Sequence, residues 1–149
     1  MGIFAKNSFA KIPIFGWYYK KGSVLVERKS ERSRIHSFEE MKKVLKDGMN
    51  MCIFPEGTRN RTNEPLKKFY DGAFKLAEIT KAPIIPAIIF NTKKAMPIHK
   101  KFYLWPHKLA LHFLPPVEAD ELSAQELKEK VFSIMKDYYT ANEAHPFKE

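Results

Sequence analysis

The chain has 149 residues, a length typical of one domain with its own core, and a formal net charge of +9. Residues 1–70 hold 15 Lys and Arg against 7 Asp and Glu, a one-sided basic field that favours an anionic partner; the alternative is a solvated basic face without a partner. One cysteine excludes an internal disulfide, five histidines without paired spacing argue against a zinc site, and the longest apolar run, residues 82–90, is too short to span a membrane.

Strands and helices alternate in the first part of the chain. Residues 23–26 are apolar and β-branched, which predicts a strand. Ser37, followed three residues later by Glu40, predicts a capping box at the start of a helix, and Gly48 is placed to end that helix. Residues 50–54 then predict a short buried strand.

The same alternation continues in the middle of the chain. Asp71 is the predicted N-cap of a second helix, whose apolar members include Phe74 and Leu76 and which Pro83 ends. Residues 84–90 are continuously apolar, as in a strand buried on both faces. The order strand–helix–strand–helix–strand predicts an α/β fold, a mixed, mainly parallel sheet with flanking helices.

The last part of the chain predicts one more strand and a C-terminal helix. Residues 109–114 alternate well enough for a strand. Ser123 and Glu126 form a second capping-box pattern, and a helix is expected over residues 123–142. Because no linker divides the chain, residues 1–149 are interpreted as a single domain.

The most informative stretch is Phe-Pro-Glu-Gly-Thr-Arg at residues 54–59, called the 54–59 block below. Pro55 has no N–H for a ladder, so the strand should end there, and Gly57 permits a sharp turn or a close approach to a ligand. Glu56 and Arg59 are therefore expected on a loop beyond a strand end, where open α/β sheets hold ligands. The guanidinium suits a phosphate, and the carboxylate can accept a hydrogen bond from a hydroxyl. The alternative is a Glu56–Arg59 salt bridge without a ligand.

Four segments of the chain, in this order, resemble the sequence blocks of one enzyme family. They are Lys6 with residues 12–17, residues 24–28, the 54–59 block with residues 68–74, and residues 82–87. The family is the glycerolipid acyltransferases, and the likeness is greatest to 1-acylglycerol-3-phosphate (lysophosphatidic acid) acyltransferases. It extends from residue 6 to about residue 117.

The resemblance implies that a fatty acyl group passes from an acyl thioester, on acyl carrier protein or coenzyme A, to the free hydroxyl of 1-acylglycerol 3-phosphate. The product is phosphatidic acid, an intermediate of phospholipid biosynthesis. No cofactor and no metal are implied beyond the thioester co-substrate. The implied substrate-binding residues are Glu56, Gly57, Thr58, Arg59, Lys6 and Arg28.

The chain departs from the family at the catalytic block. In the family a histidine, five positions before an aspartate, acts as general base, and this pair precedes the lysine that matches Lys6. No histidine of this chain has an aspartate at that offset. We therefore expect no catalytic residue here, a fold missing its first strand–helix unit, and a start that is internal to a longer protein. His36 is expected at the surface. Tyr70 stands where many relatives have a lysine, and Lys67 or Lys68 can supply that charge.

The resemblance also implies a peripheral protein at the cytoplasmic face of the membrane, because no transmembrane segment or signal peptide is visible in the sequence. Trp17, Tyr18 and Tyr19 lie beside two lysines and are candidates for membrane contact, with ordinary packing as the alternative. A non-catalytic phospholipid- or anion-binding module, or an acyltransferase for another lysolipid, remains open. Nucleic acid is not an expected partner, since no nucleic-acid motif occurs.

Overall fold

Helices and strands alternate along the chain in a computed structural model that describes residues 2–6, 23–26, 31–97 and 106–147. The α/β class is confirmed. The strands are β1 (Gly2–Lys6), β2 (Ser23–Val26), β3 (Met51–Cys52), β4 (Ala87–Phe90) and β5 (Ala110–Phe113), and the helices are α1 (Glu31–Lys46), α2 (Gly72–Thr80), α3 (Thr92–Ala95) and α4 (Ala124–Asn142). Arg28 and residues 17–19, which carry predicted roles, lie outside the described residues.

The described strands form two sheets rather than one. A three-stranded sheet has the order β2-β1-β3, and both of its pairings are parallel. The other sheet is the antiparallel pair β4–β5, in which Ala87 lies opposite Phe113 and Phe90 opposite Ala110. The single mixed, mainly parallel sheet expected from the element order is therefore not what the described residues form.

Helix α1 begins well before the position that the sequence indicated. It starts at Glu31, so Ser37 lies inside it, 4% exposed, and the predicted capping box at Ser37 and Glu40 is wrong. The preceding turn contains no proline or glycine, and Glu and Arg favour helix, so nothing in it stops the helix from starting earlier. The other end is as predicted. Gly48 has a φ of 74° and donates its N–H to the Leu45 carbonyl, as a glycine after a helix commonly does.

Helix α2 also begins without the predicted side-chain cap. Asp71 occupies the N-cap position, but its backbone is helical and its carboxylate makes no capping bond. Instead that carboxylate accepts a hydrogen bond of 2.7 Å from Lys128 of α4. A partner distant in sequence has replaced the local one. The helix ends at Thr80, where Lys81 adopts a left-handed φ of 53° ahead of Pro83.

Strand β4 is shorter than the apolar run that predicted it, and it is buried on one face only. Pro86 cannot donate to a ladder, and the continuous strand begins just after it. Ile88 and Phe90 are buried, at 4% and 1% exposure, whereas Ile89 between them is 39% exposed. The expectation of a strand buried on both faces is wrong, because the described chain covers one side of this sheet.

The core lies between α2, β4–β5 and α4. Phe74 and Leu127 belong to its main cluster and are among the largest fully buried side chains of the described residues. The capping box of α4 is confirmed: Ser123 Oγ accepts from the Glu126 N–H, and the Glu126 carboxylate accepts from the Ser123 N–H at 2.9 Å. Within the described ranges, no helix is both long and apolar enough to cross a membrane.

Candidate functional site

The 54–59 block is a tight loop that follows β3. The strand pairs only through Met51–Cys52, fewer residues than the 50–54 predicted. Gly57 has a φ of 66°, a left-handed conformation that favours glycine, and its N–H bonds to the Phe54 carbonyl at 3.0 Å. The Thr58 N–H bonds to the Glu56 carbonyl at 2.8 Å. The sequence therefore predicted correctly that the chain turns sharply at Gly57.

The segment that precedes α2 holds this loop in place. The Glu56 carboxylate accepts a hydrogen bond of 2.9 Å from the main-chain N–H of Lys67. The Lys67 ammonium donates to the Thr58 hydroxyl, also at 2.9 Å. The Tyr70 N–H donates to the Pro55 carbonyl at 2.9 Å. Three bonds thus tie the loop to a segment that lies 9 to 15 residues further along the chain.

Glu56 and Arg59 do not form the salt bridge that was the structural alternative. Across the described ranges, ion pairs within 4 Å join Lys42 to Glu39 and Lys128 to Asp71. The Arg59 side chain is exposed and makes no hydrogen bond or ion pair with any described residue. Within the described ranges its guanidinium is therefore unpaired.

A lysine from α3 fixes the outer part of the same loop. Lys93 donates from its ammonium to the Thr62 carbonyl at 3.2 Å and to the Glu64 carbonyl at 3.5 Å. Asn60 adds a local turn, because its side chain donates to the Glu64 carbonyl and accepts from Thr62. Sequence reasoning missed Lys93. No pattern near residue 93 indicates that its side chain reaches back by about thirty residues.

Lys6 ends the central strand of the parallel sheet. In the register of that sheet Lys6 lies opposite Val26 of β2, while Ile3 lies opposite Cys52 of β3. Lys6 is the last residue of β1, and the 54–59 block follows β3. Since β1 and β3 run parallel, both lie at the carboxyl ends of neighbouring strands, at the same edge of the sheet. Arg28, the other predicted phosphate contact, lies beyond the end of β2 and outside the described residues.

No histidine of the described residues is arranged as a general base. His36 is exposed on α1, as expected for a surface residue, although it lies within the helix rather than at its start. His112 is hydrogen-bonded through its two ring nitrogens to the Tyr138 hydroxyl and the Pro146 carbonyl. No hydrogen bond or ion pair joins a described histidine to a carboxylate.

Comparisons with known proteins agree with one another. A sequence profile of the family described as Acyltransferase matches residues 1–90. A 1-acyl-sn-glycerol-3-phosphate acyltransferase of Borreliella burgdorferi is 32% identical over 136 residues, which is 91% of this chain and 53% of that protein. One from Saccharomyces cerevisiae is 29% identical over 140 residues, 89% of this chain and 46% of that protein.

The fold is similar to that of a solved structure, the 1-acyl-sn-glycerophosphate (LPA) acyltransferase PlsC from Thermotoga maritima. The TM-score is 0.78 at 24% sequence identity, over 99% of this chain and 58% of that one. At this identity the likeness establishes the fold. The chain spans about half the length of the curated relatives it matches.

Proposed function

Because this chain belongs to the Acyltransferase family, we propose that its protein transfers a fatty acyl group from an acyl thioester to the free hydroxyl of 1-acylglycerol 3-phosphate. The acyl donor is the thioester of acyl carrier protein or of coenzyme A, and the product is phosphatidic acid. In this reaction the hydroxyl oxygen forms a bond to the acyl carbon, the carbon–sulfur bond breaks, and the carrier leaves as a thiol. Both reactants are substrates, so the reaction needs no cofactor.

We assign the binding of the acceptor head group to this chain. The observation that carries the proposal is the 54–59 block itself, a loop fixed beyond β3 with the Arg59 guanidinium exposed and unpaired among the described residues. An acceptor phosphate would take a bidentate contact from that planar fork. One carboxylate oxygen of Glu56 accepts a hydrogen bond from Lys67, and the other oxygen would accept one from a glycerol hydroxyl.

Two further basic residues support the same assignment. Lys6 ends β1 at the sheet edge that the block also occupies, and we propose that it helps to bind the phosphate. Arg28 is proposed for the same role from its position in the sequence alone. Thr58 and Gly57 shape the loop that presents these groups.

The proton of the attacking hydroxyl requires a base, since an alcohol is a weak nucleophile until its proton is taken. No residue of this chain is assigned that role, because no histidine here has an aspartate five positions later. This observation also favours a second candidate function, a non-catalytic phospholipid- or anion-binding module. Acyl transfer by the full-length protein separates the two, since a module would bind 1-acylglycerol 3-phosphate without consuming the thioester.

The acceptor site is tested by equilibrium binding of 1-lauroylglycerol 3-phosphate, kept below its micelle-forming concentration, with phosphate-free 1-lauroylglycerol as the reference ligand. Arg59→Met should weaken binding of the phosphate form about 10- to 100-fold, as for the loss of a charge-assisted pair. Arg61→Met is the matched control, because Arg61 is an exposed arginine of the same loop. Equal affinities of both variants and the parent would refute the assignment.

We propose that the protein works as a peripheral protein at the cytoplasmic face of a membrane. Two features of the sequence support this proposal. Residues 1–70 have an excess of Lys and Arg, and the aromatic residues 17–19 lie beside two lysines. Co-sedimentation with vesicles tests it: binding should increase with the fraction of anionic lipid and decrease with salt.

We propose too that the two sheets belong to one mixed, mainly parallel sheet, which is supported by the parallel pairings of β1.

A further inference from the structure

Lys67 contacts the 54–59 block through two separate groups. Its main-chain N–H donates to the Glu56 carboxylate, and its side-chain ammonium donates to the Thr58 hydroxyl, each at 2.9 Å. The first contact is available to any residue at this position except proline. The second requires a side chain as long as lysine, and it brings a positive charge to the residue directly before Arg59.

In the part of the chain that the structure describes, the Lys67 ammonium forms no ion pair within 4 Å. Thr58 is neutral, and the ion pairs of the described residues involve Lys42 and Lys128 instead. An ammonium group has three donors, and Lys67 uses one of them on Thr58. Thr58 accepts from Lys67 with its oxygen, so its own hydroxyl proton is left to donate.

The Lys67 ammonium lies 2.9 Å from the Thr58 hydroxyl, and Arg59 is the next residue along the chain. The Lys67 side chain is half-buried and held by its contact, whereas Thr58 and Arg59 are exposed. A doubly charged phosphate is matched by two cations and one neutral donor, and a pre-positioned cation loses less side-chain entropy on binding. The Glu56 carboxylate accepts from the main-chain N–H of Lys67 and not from its ammonium.

We propose that Lys67 is a further binding residue of this site, whose ammonium group contacts the phosphate of the acceptor together with Arg59 and Thr58. The inference rests on the proposed function and adds one residue to it. Lys67 binds and positions the head group, and it takes no part in proton transfer.

The experiment compares Lys67→Met, Lys67→Arg and Lys68→Met in the full-length protein. Each substitution at residue 67 keeps the main-chain bond to Glu56, so only the ammonium is removed or exchanged. Lys68, an exposed lysine at the next position, is the comparison, because the sequence left open which of these two lysines supplies the charge. The ligands are 1-lauroylglycerol 3-phosphate and 1-lauroylglycerol, and the quantity measured is the ratio of their affinities.

Lys67→Met should reduce the preference for the phosphate form about 10-fold, while Lys67→Arg and Lys68→Met keep it within about 3-fold. A residue that only stabilised the loop would change both affinities together and leave the ratio unaltered. A ratio for Lys67→Met within about 3-fold of the parent's would overturn the inference, and a large effect of Arg59→Met would then still support the proposed function. If Arg59→Met also left the ratio unchanged, the proposed function would fall as well.

A second measurement needs no variant. Acetylation of lysines by acetic anhydride, followed by mass spectrometry, is carried out on the unmodified protein with and without 1-lauroylglycerol 3-phosphate. The ligand should slow the modification of Lys67 and leave that of Lys68 unchanged. If Lys67 is acetylated at the same rate with and without the ligand, the proposed contact is contradicted, whatever the variants show.

Discussion

The Glu56 carboxylate accepts a hydrogen bond of 2.9 Å from the main-chain N–H of Lys67, eleven positions further along the chain. This contact joins the loop after β3 to the segment that enters α2, and it leaves the ammonium of Lys67 free to reach Thr58. The conformation of the candidate site therefore depends on a carboxylate that is also a proposed ligand contact.

The first prediction concerns this bond. Glu56→Ala should make the Lys67 amide exchange its hydrogen with solvent roughly tenfold faster, because a charge-assisted hydrogen bond protects it. Glu56→Gln keeps a carbonyl acceptor and should preserve most of the protection. Glu64→Ala is the control, since the Glu64 contacts are made by its main chain. Unchanged exchange in Glu56→Ala would show that the bond does not persist in solution. The measurement is hydrogen exchange followed by NMR.

The second prediction concerns the pair Asp71–Lys128, which fastens the start of α2 to α4. The hydrogen bond and the charge of Lys128 hold the pKa of the Asp71 carboxyl below its ordinary 3.8. A depressed folded-state pKa gives stability that is present above the unfolded value and is lost as the pH falls through the folded value. Asp71→Asn should therefore lower the melting temperature near neutral pH and have little effect in strong acid.

The control for the Asp71 prediction is Lys128→Met. Removing Lys128 takes away the hydrogen bond and the positive charge that lower this pKa most, so the carboxyl pKa of Asp71 should rise toward 3.8 in an NMR titration. In that background Asp71→Asn should change the melting temperature by nearly the same amount at every pH. A pH-dependent difference that survives Lys128→Met would assign the effect to another group.

The third prediction concerns the capping box of α4. Ser123→Ala removes the oxygen that accepts from the Glu126 N–H and should lower the free energy of unfolding by about 1 kcal/mol. Ser133→Ala makes the same substitution on an exposed face of the same helix, where the hydroxyl donates to Asp137. That control should change stability by less than about 0.5 kcal/mol. Chemical denaturation measures both, and equal losses would show that the cap does not decide stability.

The fourth prediction concerns the outer face of β4–β5, formed by Ile89, Leu111 and Phe113. These side chains are 39%, 52% and 70% exposed, and an apolar patch of this kind attracts other apolar molecules. In the polypeptide of residues 1–149, Phe113→Thr should reduce binding of the dye ANS and change stability by at most about 0.5 kcal/mol. Ile88→Thr, on the buried face, should cost about 2 kcal/mol or more. Comparable costs would mean that the outer face is covered in solution.

Features that depend on near neighbours along the chain follow from the local pattern of residues. Gly57 and Gly48 mark two of the left-handed turns, and Ser123 with Glu126 encodes the start of α4, because each acts within one turn of the backbone. The 54–59 block was recognisable for the same reason, since its proline, glycine and charged residues are adjacent in the chain.

Features that join distant segments of the chain depend on tertiary packing. Ser37 and Glu40 carry the same capping pattern as Ser123 and Glu126, yet α1 begins at Glu31 and Ser37 is buried inside the helix. The Asp71 carboxylate bonds to Lys128 of α4 instead of capping its own helix. The side chains of Lys67 and Lys93 bond to earlier residues of the loop after β3. A long flexible side chain chooses its partner by which groups packing brings within about 3 Å, and no local pattern of residues records that choice.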